Sequence, residues 1–180
     1  LDPFRIEIVG SRMGDADSEK IFKYANYLYE NKRYNDALPY LENIRQYSLS
    51  DIVDDAVYIS GKIYISNHSE YVTQYLLKNR FISKDLEEAN YIYLDNVLTL
   101  YEQLLFTHPD GNIIKDNHAK DTLDSLFDWC VMNNDYPHLT WTFEVLTNYP
   151  EIDQDYINEK KNKVMGLLRN DITDISLTHL

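Results

Sequence analysis

Tyr29-Glu30-Asn31-Lys32-Arg33-Tyr34-Asn35-Asp36-Ala37-Leu38-Pro39-Tyr40-Leu41-Glu42-Asn43-Ile44 is matched further on by Val131-Met132-Asn133-Asn134-Asp135-Tyr136-Pro137-His138-Leu139-Thr140-Trp141-Thr142-Phe143-Glu144-Val145-Leu146. Each stretch reads as a helix end, a polar turn, a tyrosine, and then apolar residues spaced for one helical face. Tyr34 and Tyr136 stand 102 positions apart, three times 34, and a 34-residue period is the spacing of a two-helix repeat. Stacked repeats of this kind build surfaces for partners rather than chemical sites.

Outward from these stretches the same spacing recurs. Ile21, Tyr24, Ala25 and Leu28 predict a helix ending at the turn Asn31-Lys32-Arg33, with Asp17 or Ser18 as its N-cap. Ala37, Leu41 and Ile44 place a second helix behind it, and Pro39 is tolerated in its first turn. Ser50 can cap a third helix through Ala56, Ile59, Ile63 and Tyr64, with Gly61 inside it. A mid-helix glycine costs about 1 kcal/mol against alanine, so Gly61 calls for a packing reason. Asn67-His68-Ser69 is expected to break this helix, with an insertion at about 67–84. Asp85 and Glu88 form a capping-box pattern opening a long helix over about 85–107. His108-Pro109-Asp110-Gly111-Asn112 stops it, and a loop is expected to run on to about His118. Helices at about 119–133, 137–148 and 153–168 complete the pattern. The domain reading is therefore an irregular segment 1–16, a single helical-repeat domain 17–170, and a frayed tail 171–180.

Composition agrees. Five glycines and five prolines in 180 residues are too few for a turn-rich β architecture. The formal charge of −13 argues against a nucleic-acid partner, which would call for a basic patch, and favours a basic peptide or protein. No apolar run reaches the roughly 20 residues of a membrane span. Cys130 is the only cysteine, so no intrachain disulfide can form. It lies on the apolar face of its helix, as a small core residue does. The histidines lack zinc spacing, and no glycine-rich phosphate loop or nucleophile elbow is present, so neither metal, cofactor nor catalytic residue is expected.

The pattern resembles the tetratricopeptide repeat family, whose motif is commonly written W-x2-L-G-x2-Y followed by A-x3-F-x2-A-x4-P. Ile21, Tyr24, Ala25 and Leu28 fill its first-helix slots, and Tyr34, Ala37, Leu41 and Ile44 its second-helix slots. Leu123, Leu126, Phe127 and Cys130 match the first set in the last hairpin, with Tyr136, Leu139, Phe143 and Leu146 matching the second. Val57, Ser60, Gly61 and Tyr64, with Val97, Tyr101, Leu104 and Pro109, form a looser middle pair. The resemblance covers about Ser18 to Pro150. It implies an all-α, right-handed stack of about three antiparallel helix hairpins, a tetratricopeptide-like solenoid with a C-terminal capping helix.

The resemblance also implies a concave groove lined by exposed positions of each first helix. Carried over by position, these include Glu19, Phe22, Asn26, Tyr29 and Glu30, then Asp55, Tyr58, Lys62, Ile65 and Ser66, and last Asp121, Asp124, Asp128, Val131 and Met132. A solvated helix face explains Glu19 and Asp55 on their own. Phe22, Tyr29 and Tyr58 differ, because aromatics exposed on one face suggest contact. The candidate partner-binding set is therefore Phe22, Asn26, Tyr29, Tyr58, Lys62, Asp121, Asp124 and Asp128. Asn26 stands where chaperone-cofactor repeats grip a terminal carboxylate, but Phe22 replaces one of the lysines that grip needs.

The expected function is a non-catalytic scaffold or adaptor taking a basic or amphipathic peptide, or a protein, in the groove. Two alternatives stay open. The endings Phe106-Thr107-His108-Pro109-Asp110 and Thr147-Asn148-Tyr149-Pro150-Glu151 also look like repeats of a bacterial outer-membrane assembly lipoprotein. The 67–84 segment could instead build a structural homodimer. Cytoplasmic and lipid-anchored periplasmic locations are both compatible with the sequence.

Overall fold

The computed structural model describes residues 15–48, 51–79 and 84–178, and every element it describes is helical. The expectations for residues 1–14 and for a Ser50 cap lie outside the described residues. The chain divides into two compact units, Leu1–Ile113 and Ile114–Leu180. The first holds α1 (Asp15–Glu30), α2 (Tyr34–Tyr47), α3 (Val53–Lys78) and α4 (Lys84–Thr107). The short α5 (Asn112–Lys115) lies at the division. The second holds α6 (His118–Asn133), α7 (Tyr136–Thr147) and α8 (Gln154–Thr178).

The two quoted stretches reverse direction by the same device. Lys32 adopts φ 59°, the Lys32 N–H donates to the Tyr29 carbonyl at 2.9 Å, and the Arg33 N–H donates to the Leu28 carbonyl at 2.8 Å. That pair of bonds around a left-handed residue closes α1 and satisfies carbonyls the helix end would leave bare. At the matching position Asn134 takes φ 55°, and the Asp135 N–H donates to the Cys130 carbonyl at 3.0 Å. Asparagine visits this region readily and lysine does not. The Lys32 turn therefore carries some backbone strain that hairpin packing must offset.

In the first hairpin Ile21, Tyr24, Ala25 and Leu28 of α1 meet Ala37, Leu41 and Ile44 of α2, and Ala56, Ile59 and Ile63 of α3 close the same core. The edge of Tyr24 meets the ring of Tyr40 with centroids 4.9 Å apart. Ala37 is fully buried, as its short side chain requires where two helices approach closely. Replacing Ala37 with leucine should overpack that contact and destabilise unit 1 by roughly 1–3 kcal/mol. Faster amide exchange at Ala25 and Leu28 would report it, and unchanged exchange would count against the packing account.

Four local expectations change. Asn67-His68-Ser69 does not break α3, which runs unbroken from Val53 to Lys78. Two of these polar residues have partners on neighbouring helices: Asn67 Nδ2 donates to Asn35 Oδ1 at 3.0 Å, and buried His68 places Nε2 2.6 Å from Asn90 Oδ1. Much of the supposed insertion is thus the paired length of α3 and α4. Ser18 is not an N-cap, because α1 begins at Asp15 and the Ser18 hydroxyl, buried inside it, donates to the Ser48 hydroxyl at 2.7 Å. The loop after α4 contains α5. The last helix does not end near 168, since α8 reaches Thr178 with no proline in its course.

Candidate functional site

Two regions of unit 1 concentrate polar chemistry. In the first, α1 supplies Tyr29 and α3 supplies Tyr58 and Lys62. Lys62 Nζ lies 5.2 Å from the centre of the Tyr58 ring, a cation–π arrangement. Burial works against the ammonium, but the adjacent Tyr29 and Tyr58 side chains outweigh it and hold Lys62 above the ordinary lysine value, so it stays charged. Tyr29 also leans on Tyr34, with centroids 5.4 Å apart. The Tyr58 ring stacks on buried Tyr101 at 6.2 Å and 18°. Phe22 and Asn26 stand on the same side of α1 as Tyr29 by helical spacing.

The expected exposed aromatics are only half open. Phe22, Tyr29 and Tyr58 all pack partly on the first-hairpin core. The reason is spacing: each neighbours a core position by three or four residues, so its ring base is covered while its edge stays wet. Such rings are already ordered, so a partner that contacts them need not freeze them.

The second region is a cleft of about 700 Å³ between the start of α3 and the end of α4. Glu19, Asp51, Asp54, Asp55 and Asp110 are among its lining residues. Asp54 is buried, with Oδ1 accepting the Asp55 amide N–H at 2.8 Å. Oδ2 lies against Gly111, where an added Cβ would come within 2.5 Å of it. Among the candidates above, only Glu19 and Asp55 belong to this cleft. Asp54 was not legible, because its setting depends on a turn that follows α4, far along the chain.

Burial, and then the neighbouring Asp54, push the Asp55 carboxyl above the ordinary carboxylate value of 3.8. The native state therefore holds that proton more tightly than the unfolded chain. Stability associated with Asp55 is full below about pH 3.8 and is lost as pH rises through the higher native value. Asp55→Asn should stabilise unit 1 at neutral pH by less than about 1 kcal/mol, solvent screening being substantial at a half-exposed group. The gain should vanish near pH 3. Denaturation of both proteins at the two pH values checks the sign.

In unit 2 the three candidate aspartates separate. Asp121 and Asp128 are exposed, whereas Asp124 is drawn between helices. Asp124 lies 2.9 Å from Lys120 Nζ and 3.3 Å from Lys160 Nζ, and it accepts a short hydrogen bond from the Tyr156 hydroxyl. Burial opposes its charge, but Tyr156, Lys120 and Lys160 together hold the carboxyl below its ordinary value. Asp124 thus ties α6 to α8, which corrects its reading as a ligand-facing charge. By sequence alone the cluster Lys160, Lys161 and Lys163, set beside acidic residues, reads as a solvated helix face, and nothing local marks Lys120 or Tyr156 as a partner of Asp124.

Cys130 is fully buried, and burial, with Asp135 adding to it, pushes its thiol far above the ordinary value. It is therefore a poor nucleophile. Asp135 caps α7, and both its oxygens lie within 2.8 Å of His138 Nδ1. Among the described residues, no three His, Cys, Asp or Glu side chains group as metal ligands would. No described helix is long and apolar enough to cross a membrane. Comparison with protein-family models, curated proteins and solved structures finds no significant match.

Proposed function

We propose that this chain is a non-catalytic interaction module, a right-handed array of tetratricopeptide-like hairpins that holds a basic or amphipathic peptide, or a protein segment, against its helices. The observation that carries the reading is the meeting of Tyr29, Tyr58 and Lys62 from two helices separated in sequence by α2. Half-covered tyrosines with a fixed ammonium between them offer apolar area, hydroxyl groups and one cation at low ordering cost. Phe22 and Asn26 extend that face along α1. Asp121 and Asp128, exposed on unit 2, add long-range attraction for a basic partner.

Affinity measurements with a partner obtained by pulldown and mass spectrometry test this reading. Tyr29→Ala should weaken binding by about 2 kcal/mol at any ionic strength, because the lost contact is apolar. Asp121→Asn combined with Asp128→Asn should weaken it chiefly at low salt, where exposed charges are least screened. Folded variants that bind like the parent in both series would remove this face from consideration.

A further inference from the structure

α3 has three sides. Ala56, Ile59 and Ile63 join α1 and α2 in the first-hairpin core, while Gly61 and His68 meet Tyr101 and Asn90 of α4. The third side carries Tyr58, Lys62, Ile65, Ser69, Val72 and Leu76, separated alternately by four and three residues. That is a heptad pattern, with Tyr58, Ile65 and Val72 in one row and Lys62, Ser69 and Leu76 in the other. Because α3 runs unbroken from Val53 to Lys78, the rows stay in line over about 27 Å. Tyr58, Ile65 and Val72 are half-buried, and Leu76 is 56% exposed. Glu19 of α1 lies by Asp51 and Asp55, and Tyr29 lies by Lys62, so α1 runs beside the first part of α3 and stops there at Glu30. The stretch Ile65–Leu76 continues past it. Lys62 adds an independent pointer. Its ammonium meets Tyr58 and Tyr29 and, among the described residues, no carboxylate, although the chain holds 30 Asp and Glu. Rings attract an ammonium, but an anion holds it more strongly.

We propose that this seam is the docking site for one amphipathic helix of a protein partner, which packs along α3 as in a coiled coil and sets a glutamate or aspartate side chain against Lys62. Its apolar residues seat between Tyr58, Ile65, Val72 and Leu76, and its carboxylate accepts an N–H of the ammonium. Such a partner rests on the reading of unit 1 as an interaction surface and narrows it: the surface holds a helix of about three heptads rather than an extended segment.

The test reads binding to the full-length chain by fluorescence anisotropy of three labelled peptides of about 21 residues. The first has leucine at its a and d positions and glutamate at its g positions, and a hydrocarbon staple on its outer face keeps it helical. The second has glutamine in place of each glutamate. The third is the first with a central proline and no staple. The glutamate helix should bind saturably, the glutamine helix about tenfold more weakly, and the proline peptide more weakly still. A chain of charge −13 repels an acidic peptide overall, so a preference for glutamate has to arise locally. Lys62→Gln should erase that preference. Leu76→Ser, at an exposed position that does not risk the fold, should weaken both helices about tenfold. Leu77→Ser, 77% exposed but one residue off the seam, should change either by less than about twofold. No saturable binding of the glutamate helix, equal binding of the glutamine or proline peptide, or an undiminished response in Leu76→Ser overturns the seam. A dimer of the chain alone, seen by sedimentation equilibrium and abolished by Leu76→Ser, overturns the partner helix in favour of a second copy. If the seam fails while Tyr29→Ala still weakens binding of the partner captured by pulldown, the interaction surface stands and only this inference falls.

Discussion

Asp124→Ala is expected to destabilise unit 2 by about 2–3 kcal/mol, because removing the partly buried carboxylate strands a buried ammonium. The stranded charge is Lys160, only 7% exposed, with its Nζ 4.7 Å from the Phe127 ring centre and 5.3 Å from that of Tyr156. Those rings attract the ammonium but do not replace a carboxylate. Asp128→Ala is the internal control. Its carboxylate is 60% exposed and meets Lys163 at 3.8 Å, so its loss should cost less than about 1 kcal/mol. Both tryptophans, Trp129 and Trp141, belong to α6 and α7, so denaturation followed by their fluorescence reports unit 2. Equal midpoints for the two variants would contradict the account of α8. The pH sign follows from the depressed Asp124 carboxyl. Its contribution is present above the ordinary value near 3.8 and is lost as pH falls through the lower native value. The gap between parent and Asp124→Ala should therefore close in strong acid.

Gly61→Leu is expected to be worse still, about 4 kcal/mol in unit 1. A Cβ at Gly61 would stand 2.5 Å from Tyr101 Cε1 and 2.8 Å from Cζ. The ring cannot retreat easily, since Tyr101 is fully buried and stacks on Tyr58. Replacing glycine within a helix favours folding by about 1 kcal/mol, but overpacking ordinarily costs about 1–3 and more where the obstacle is rigid. The leucine carries three further carbons into the same space. Smaller damage from the double variant with Tyr101→Ala than from adding the two single effects would confirm that the two positions compete for one volume. A neutral Gly61→Leu would mean that α3 and α4 do not meet there. Because Tyr58 shares this stack, the variant should also disturb the Tyr58–Lys62 pair.

The parts of this fold that could be read in the sequence are those whose signal is local. Ile21, Tyr24, Ala25 and Leu28 repeat on one face, and the turns at Asn31–Arg33 and Asn133–Asp135 carry their own stop chemistry. Gly61 announced a packing constraint, although not that Tyr101 imposed it. Where meaning depended on a distant partner, local reading failed. Asn67 and His68 look like helix breakers until Asn35 and Asn90 receive them. Asp124 looks like a third ligand-facing charge beside Asp121 and Asp128 until α8 brings Lys160 and Tyr156 to it. For the candidate face, helical spacing put Tyr29 on one helix and Tyr58 and Lys62 on another, and these are α1 and α3. It could not show that their rings would be half covered, because that depends on how deeply neighbouring helices seat.

The central claim is that the side of unit 1 carrying Asn26, Tyr29, Tyr58 and Lys62 receives a partner. Site-specific photo-crosslinking addresses it most directly. A benzophenone amino acid is placed at Asn26, half-buried on that side, and separately at Glu144, exposed on α7. Each protein is irradiated in an extract of its own cells. The account predicts one dominant adduct from position 26, absent at 144 and lost when Tyr29→Ala and Lys62→Glu are added to a chain that still folds. The same adducts from both positions, or an adduct at 26 indifferent to those substitutions, would contradict it.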